Sequence, residues 1–76
     1  MELKIRLNTI KKVKDFSNIV SKFDADMDLI ASNSRYIVDA KSIMGIFSLD
    51  LSKDLTLVIH KENIDNIKSA LRDFIV

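Results

Sequence analysis

Polar and apolar residues alternate at the start of the chain, where Lys4 and Arg6 separate Leu3, Ile5 and Leu7. A period of two puts the apolar set on one side of an extended segment, so the stretch predicts a strand with one wet face. The period then lengthens. Ile10, Val13, Phe16, Val20 and Phe23 recur at steps of three and four. That spacing predicts an amphipathic helix of about four turns, with its lysines on the far side. Asn8 or Thr9 can cap it, since each offers a side-chain oxygen to the free N–H groups of the first turn. Asp24-Ala25-Asp26 ends the helix. Met27, Leu29 and Ala31 alternate with Asp26, Asp28 and Ile30 in a second strand. Ser32-Asn33-Ser34 is turn chemistry, and Arg35-Tyr36-Ile37-Val38-Asp39 is a third strand, pairing with the second as a hairpin. Leu55, Leu57 and Ile59 alternate with Thr56, Val58 and His60 in a fourth. A last helix starts near Asn63, turns Ile64, Ile67, Leu71 and Phe74 inward with Ala70 as a further candidate, and runs almost to Val76.

Between the third and fourth strands the apolar residues crowd together. Ile43, Met44, Ile46, Phe47 and Leu49 lie around Gly45, the only glycine. They are too dense for a surface loop and too many for one helical face. A short helix here buries Ile46 and Leu49 and leaves some of Ile43, Met44 and Phe47 in water. An exposed apolar patch of that kind marks a contact site. The competing reading is that all five are core.

The order is strand, helix, strand, strand, helix, strand, helix. It predicts one α+β domain over residues 1–76, a mixed or antiparallel sheet with helices over a single face. The sheet's other face carries Lys4, Arg6, Asp26 and Asp28, together with Ile30, Ile37 and Val58. Those three make a second apolar patch, and a possible homodimer contact, if they are neighbours. There is no cysteine, so no disulfide or thiolate zinc site can form, and a single histidine, His60, forbids a histidine-based metal cluster. No run approaches the roughly 18 apolar residues of a membrane span. The start of the chain lacks the apolar core of a signal peptide, and the expectation is a cytoplasmic protein. The net charge is +1, but residues 1–22 carry +4, from six basic groups against Glu2 and Asp15. This basic third can attract an anion, or simply be a solvated helix face. Nucleic acid is not expected, because no aromatic residues are interleaved for base stacking.

Phe23-Asp24-Ala25-Asp26, followed by Lys41-Ser42-Ile43-Met44-Gly45-Ile46-Phe47-Ser48-Leu49, resembles HPr, the small phosphocarrier of the bacterial phosphoenolpyruvate-dependent sugar phosphotransferase system. Element order and length agree over nearly the whole chain. The resemblance implies an open-faced β-sandwich, a four-stranded antiparallel sheet with three helices on one side. HPr carries phosphate on a histidine that opens its first helix, in a Gly-x-His-Ala-Arg-Pro-like motif. Counting back from Phe23 puts that histidine at about Thr9, its arginine near Lys11 and its proline near Lys12. Asn8-Thr9-Ile10-Lys11-Lys12 contains none of the three. Imidazole nitrogen is nucleophilic at neutral pH and its phosphoramidate passes phosphate on, whereas a threonine hydroxyl forms a stable ester. Ser42 matches the serine that a kinase phosphorylates in HPr of many Gram-positive bacteria; its other reading is a plain helix cap. Ile43, Met44 and Phe47 match the apolar surface that HPr offers to its partners.

The resemblance therefore implies a non-catalytic binding or regulatory module, with a phosphotransferase-system protein, kinase or regulator as partner and no cofactor. The alternatives are a phosphocarrier using an unusual residue and a structural homodimer through Ile30, Ile37 and Val58. An independent enzyme is not expected, since no paired carboxylates, nucleophile–base pair or glycine-rich phosphate loop is visible.

Overall fold

The computed structural model describes residues 1–31 and 36–76. The elements are β1 (Glu2–Ile5), α1 (Ile10–Val20), β2 (Met27–Ala31), β3 (Ile37–Asp39), α2 (Ile43–Phe47), β4 (Leu55–Ile59) and α3 (Asp65–Ala70). This is the expected order. The predicted turn at Ser32-Asn33-Ser34 and the predicted strand residue Arg35 lie outside the described residues.

The strands form one antiparallel sheet in the order β1-β4-β2-β3. Strand alternation settles which side is core. Leu3, Leu57, Leu29 and Val38 align across the sheet as one inward row. Leu57 and Leu29, in its middle, are fully buried, and the two ends are half-buried. The outward rows are Lys4–Thr56–Ile30–Ile37 and Glu2–Val58–Asp28–Asp39. Ile30 and Ile37 are therefore cross-strand partners, whereas Val58 faces Glu2 and Asp28. Of the three, only Ile30 and Ile37 are directly opposed, and Val58 lies diagonal to Ile30. Ile30 and Val58 are half-buried and Ile37 is 63% exposed.

The helices lay their apolar stripes over the inward face. α1 buries Val13, Phe16 and Val20, and the Phe16 ring meets Phe74 edge to face at 5.8 Å. Ile10 departs from the predicted stripe, being 65% exposed. It is the first helical residue, and Cβ bonds tilt toward a helix's N-terminus. Its side chain thus points off the end of α1 rather than down onto the sheet.

The end of the chain also differs from the periodicity. α3 begins at Asp65 and stops at Ala70, which is exposed. The chain then turns, and Ile75 bridges Ile5 antiparallel. The Arg6 N–H donates to the Phe74 carbonyl at 2.9 Å, and the Val76 N–H to that of Lys4 at 3.0 Å. The terminal residues thus satisfy the outer edge of β1, whose backbone groups a continued helix would have left unpaired. Leu71 and Phe74 are buried all the same. No helix among the described residues is long and apolar enough to cross a membrane.

Candidate functional site

α2 is fixed by short local bonds. The Ser42 N–H donates to the Asp39 carbonyl at 2.9 Å. The Lys41 N–H donates to Asp39 Oδ1 at 2.9 Å, which tightens the same turn. Lys41 Nζ reaches the Phe23 carbonyl at 2.7 Å and so ties this turn to the chain just past α1. Ser42 is the N-cap in extended conformation, and its Oγ accepts from the Gly45 N–H at 3.2 Å. α2 lies close over β3. A Cβ on Gly45 would stand 3.2 Å from the Val38 Cβ and 3.2 Å from Ser42 Oγ. Glycine is what permits that approach.

A single helical turn cannot bury five large apolar residues, and here it divides them. Ile46 is fully buried and Leu49 is 9% exposed, while Met44 is 78% and Phe47 40% exposed. Ile43 is half-buried against the core. The exposed side of α2 thus presents Met44 and Phe47 with Ile43 at its edge, the division expected from the crowding.

The start of α1 is built differently. Thr9 is its N-cap, and Oγ1 accepts from the Lys12 N–H at 3.1 Å. Lys11 Nζ pairs along the helix with Asp15 Oδ2 at 2.7 Å, both exposed, so its charge is partly spent within its own element. Lys12 is half-buried and makes no ion pair among the described residues. The arrangement is a capped helix end with two cations nearby and a hydroxyl already engaged by the backbone. It contains no imidazole.

His60 does not supply one. β4 runs antiparallel to β1, with Leu55 opposite Ile5 and Val58 opposite Glu2. His60 lies five residues beyond Leu55 in one direction, and Thr9 four residues beyond Ile5 in the other. At about 3.3 Å per residue, His60 is roughly 17 Å along the strand from the Leu55 row alone. Its Nε2 is bonded to Asp28 Oδ2 at 2.8 Å on the exposed sheet face.

Two features escaped the sequence pattern. Ile10 exposes an apolar side chain directly beside Thr9, and only its place at the first helical position could have signalled that. Lys41 is a tether from the α2 turn to the end of α1, and nothing in periodicity marks it. No group of three or more His, Cys, Asp or Glu among the described residues could hold a metal ion.

Comparison with known proteins agrees with this geometry. The family model for the PTS HPr component phosphorylation site matches residues 10–75, starting one residue past Thr9. Among solved structures, HPr-C-His from Thermoanaerobacter tengcongensis is similar at 28% identity and a TM-score of 0.76, over 96% of this chain and 88% of that one. A histidine-containing phosphocarrier protein of Mycoplasma shares the fold at 17% identity and a TM-score of 0.71, over 96% of this chain and 86% of that one. A search of curated proteins finds no match. With the family model spanning most of its length and the same open-faced sandwich beneath it, the chain belongs to the HPr family of the phosphotransferase system.

Proposed function

We propose that this HPr-family chain is a non-catalytic protein-binding or regulatory module, acting in the cytoplasm, that docks on a phosphotransferase-system protein, kinase or regulator through Ile43, Met44 and Phe47. One observation carries the reading. Thr9 stands at the start of α1 with its hydroxyl accepting from the Lys12 N–H, and the only histidine lies at the opposite end of the sheet. A carrier must form a bond to phosphorus that is easily broken again, and an alkyl phosphate ester does not provide one. The contact surface on α2 depends on none of these residues.

Ser42 is the candidate regulatory site in the same reading. Phosphorylation would place about two negative charges at the start of α2, beside Ile43 and Met44, and would replace the hydroxyl that now accepts from Gly45. The second reading, a phosphocarrier that still relays phosphate, rests on family membership.

Incubation with phosphoenolpyruvate and the first enzyme of the system separates the two. The binding-module reading expects no acid-labile phosphate on the chain. Acid-labile label that disappears in His60→Gln would overturn it and move the carrier to the far end of the sheet. Label that persists in His60→Gln would equally overturn it and point to another acceptor.

A further inference from the structure

The two edges of the sheet are treated differently. Along β1, the Arg6 N–H and the Lys4 carbonyl are bonded to the terminal residues. Along β3, no described strand lies on the far side. The phase of the ladder shows which groups this edge presents. The Ala40 N–H donates to the Met27 carbonyl. Bonded pairs alternate in an antiparallel ladder, so Val38 and Leu29 are the next bonded pair. Ile37 and Asp39 therefore turn their N–H and C=O groups away from β2. The Asp39 carbonyl is already taken by the Ser42 N–H at 2.9 Å. Ile37 is left as the one β3 residue with both an outward donor and an outward acceptor.

A residue with both groups outward can exchange two hydrogen bonds with its own copy across a two-fold axis. We propose that a second copy of this chain pairs with β3 antiparallel, Ile37 opposite Ile37, joining two four-stranded sheets into one.

The other two-fold registers centred on β3 are worse on the same grounds. Centring on Asp39 opposes two carboxylates and needs a carbonyl already in use. Centring on Val38 sets Ile37 opposite Asp39. Like charges directly opposite destabilise a cross-strand pair, and neither of these registers gives Ile37 an apolar partner to stabilise it. With Ile37 at the centre, the outward row reads Ile30–Ile37–Ile37–Ile30 across the two copies. On the other face, Tyr36 of each copy lies opposite Val38 of the other. The pairing thus covers both exposed large apolar residues of this edge, Tyr36 at 77% and Ile37 at 63%. An interface of this type is isologous and closes at two copies. β3 is only three residues long, so the association is weak and concentration-dependent.

The test measures mass and amide exchange on the full chain. Sedimentation should show the average mass rising from one toward two chain masses with concentration. Ile37→Pro removes the outward N–H without removing a bond to β2, and should stay at one chain mass with an unchanged circular dichroism spectrum. Ile37→Val should behave as the parent chain. In the parent chain, exchange of the Ile37 amide should slow as concentration rises. A monomer up to the solubility limit would overturn the proposal. So would a dimer in which the Ile37 amide exchanges at an unchanged rate, since that would place the contact on the sheet face or on α2. The amide measurement decides the matter even if Ile37→Pro does not fold.

Discussion

Met44 and Ile46 stand two residues apart on α2 and should respond to truncation in opposite ways. Met44 is 78% exposed, so about a fifth of it is covered; full burial of such a side chain is worth about 1.5–3 kcal/mol, and Met44→Ala should cost about 0.3–0.6 kcal/mol. Phe47 is 40% exposed, and the same reasoning gives about 1–2 kcal/mol for Phe47→Ala. Ile46 is fully buried, and Ile46→Ala leaves a cavity as well as losing transfer energy, about 2–5 kcal/mol. A chain of this length has a total stability of about 4–11 kcal/mol, so Ile46→Ala can consume half of it. The chain has no tryptophan, so urea unfolding is best followed by far-ultraviolet circular dichroism. At a slope of about 1 kcal/mol/M the midpoint should fall by about 0.5 M for Met44→Ala and by at least about 2 M for Ile46→Ala. Met44→Glu should keep the fold and lose partner capture. A loss of about 2 kcal/mol or more in Met44→Ala would refute the reasoning, because Met44 would then be core and α2 would lose the most exposed part of its apolar surface.

Gly45→Ala should not show the gain of about 0.5–1 kcal/mol usual for this change inside a helix. The new methyl meets Val38 Cβ and Ser42 Oγ at 3.2 Å, and a cost of about 1 kcal/mol is expected in the same urea titration; stabilisation would show that α2 can lift from β3 freely. Thr9→Ala removes the acceptor for the Lys12 N–H and should cost about 1 kcal/mol, while Thr9→Ser should be close to neutral in thermal unfolding. Asp50 is held below the ordinary carboxylate range chiefly by the Ser52 hydroxyl, then by the Ser52 N–H. Its folded pKa is below its unfolded one, so its contribution is complete above the unfolded value and fades as pH falls through the folded one. Carboxyl titration by NMR should place Asp50 low in the parent chain and nearer the usual range in Ser52→Ala; identical titrations would refute the assignment.

The strands were legible because a period of two survives burial on one face, as in Met27, Leu29 and Ala31 or Leu55, Leu57 and Ile59. The division of the 43–49 run was legible because too many apolar residues share one turn. Two other features were not. Leu71 and Phe74 continue the spacing of Ile67, yet the chain leaves the helix after Ala70; both readings bury Leu71 and Phe74, and the competition between them was settled by the free edge of β1. Ile10 fits the stripe of α1 by spacing but lies where the helix end overhangs, which periodicity does not encode. Strand order was equally hidden. β4 sits between β1 and β2, and no local pattern states which strand inserts where; element order left the sheet mixed or antiparallel, and the resemblance of residues 23–26 and 41–49 to HPr carried the wholly antiparallel arrangement.

The bonds that place α2 are separate from those that hold the start of α1. Asp39, Lys41, Ser42 and Gly45 fix the short helix through the turn, the Phe23 carbonyl and the close approach to Val38. None of these bonds involves residues 8–12. Thr9, for its part, bonds within its own helix among the described residues, through the Lys12 N–H and the Val13 N–H. A side chain at position 9 therefore has to cap α1 and nothing else that the fold requires. Threonine caps well because its hydroxyl sits one bond from the backbone it must reach. The same hydroxyl, with a lone pair engaged by that backbone and no carboxylate or imidazole bonded to it among the described residues, is a poor nucleophile. The chemistry that stabilises the helix end is thus the chemistry that disfavours phosphate transfer there. The apolar surface of α2 and the capped start of α1 are thus held by separate sets of bonds.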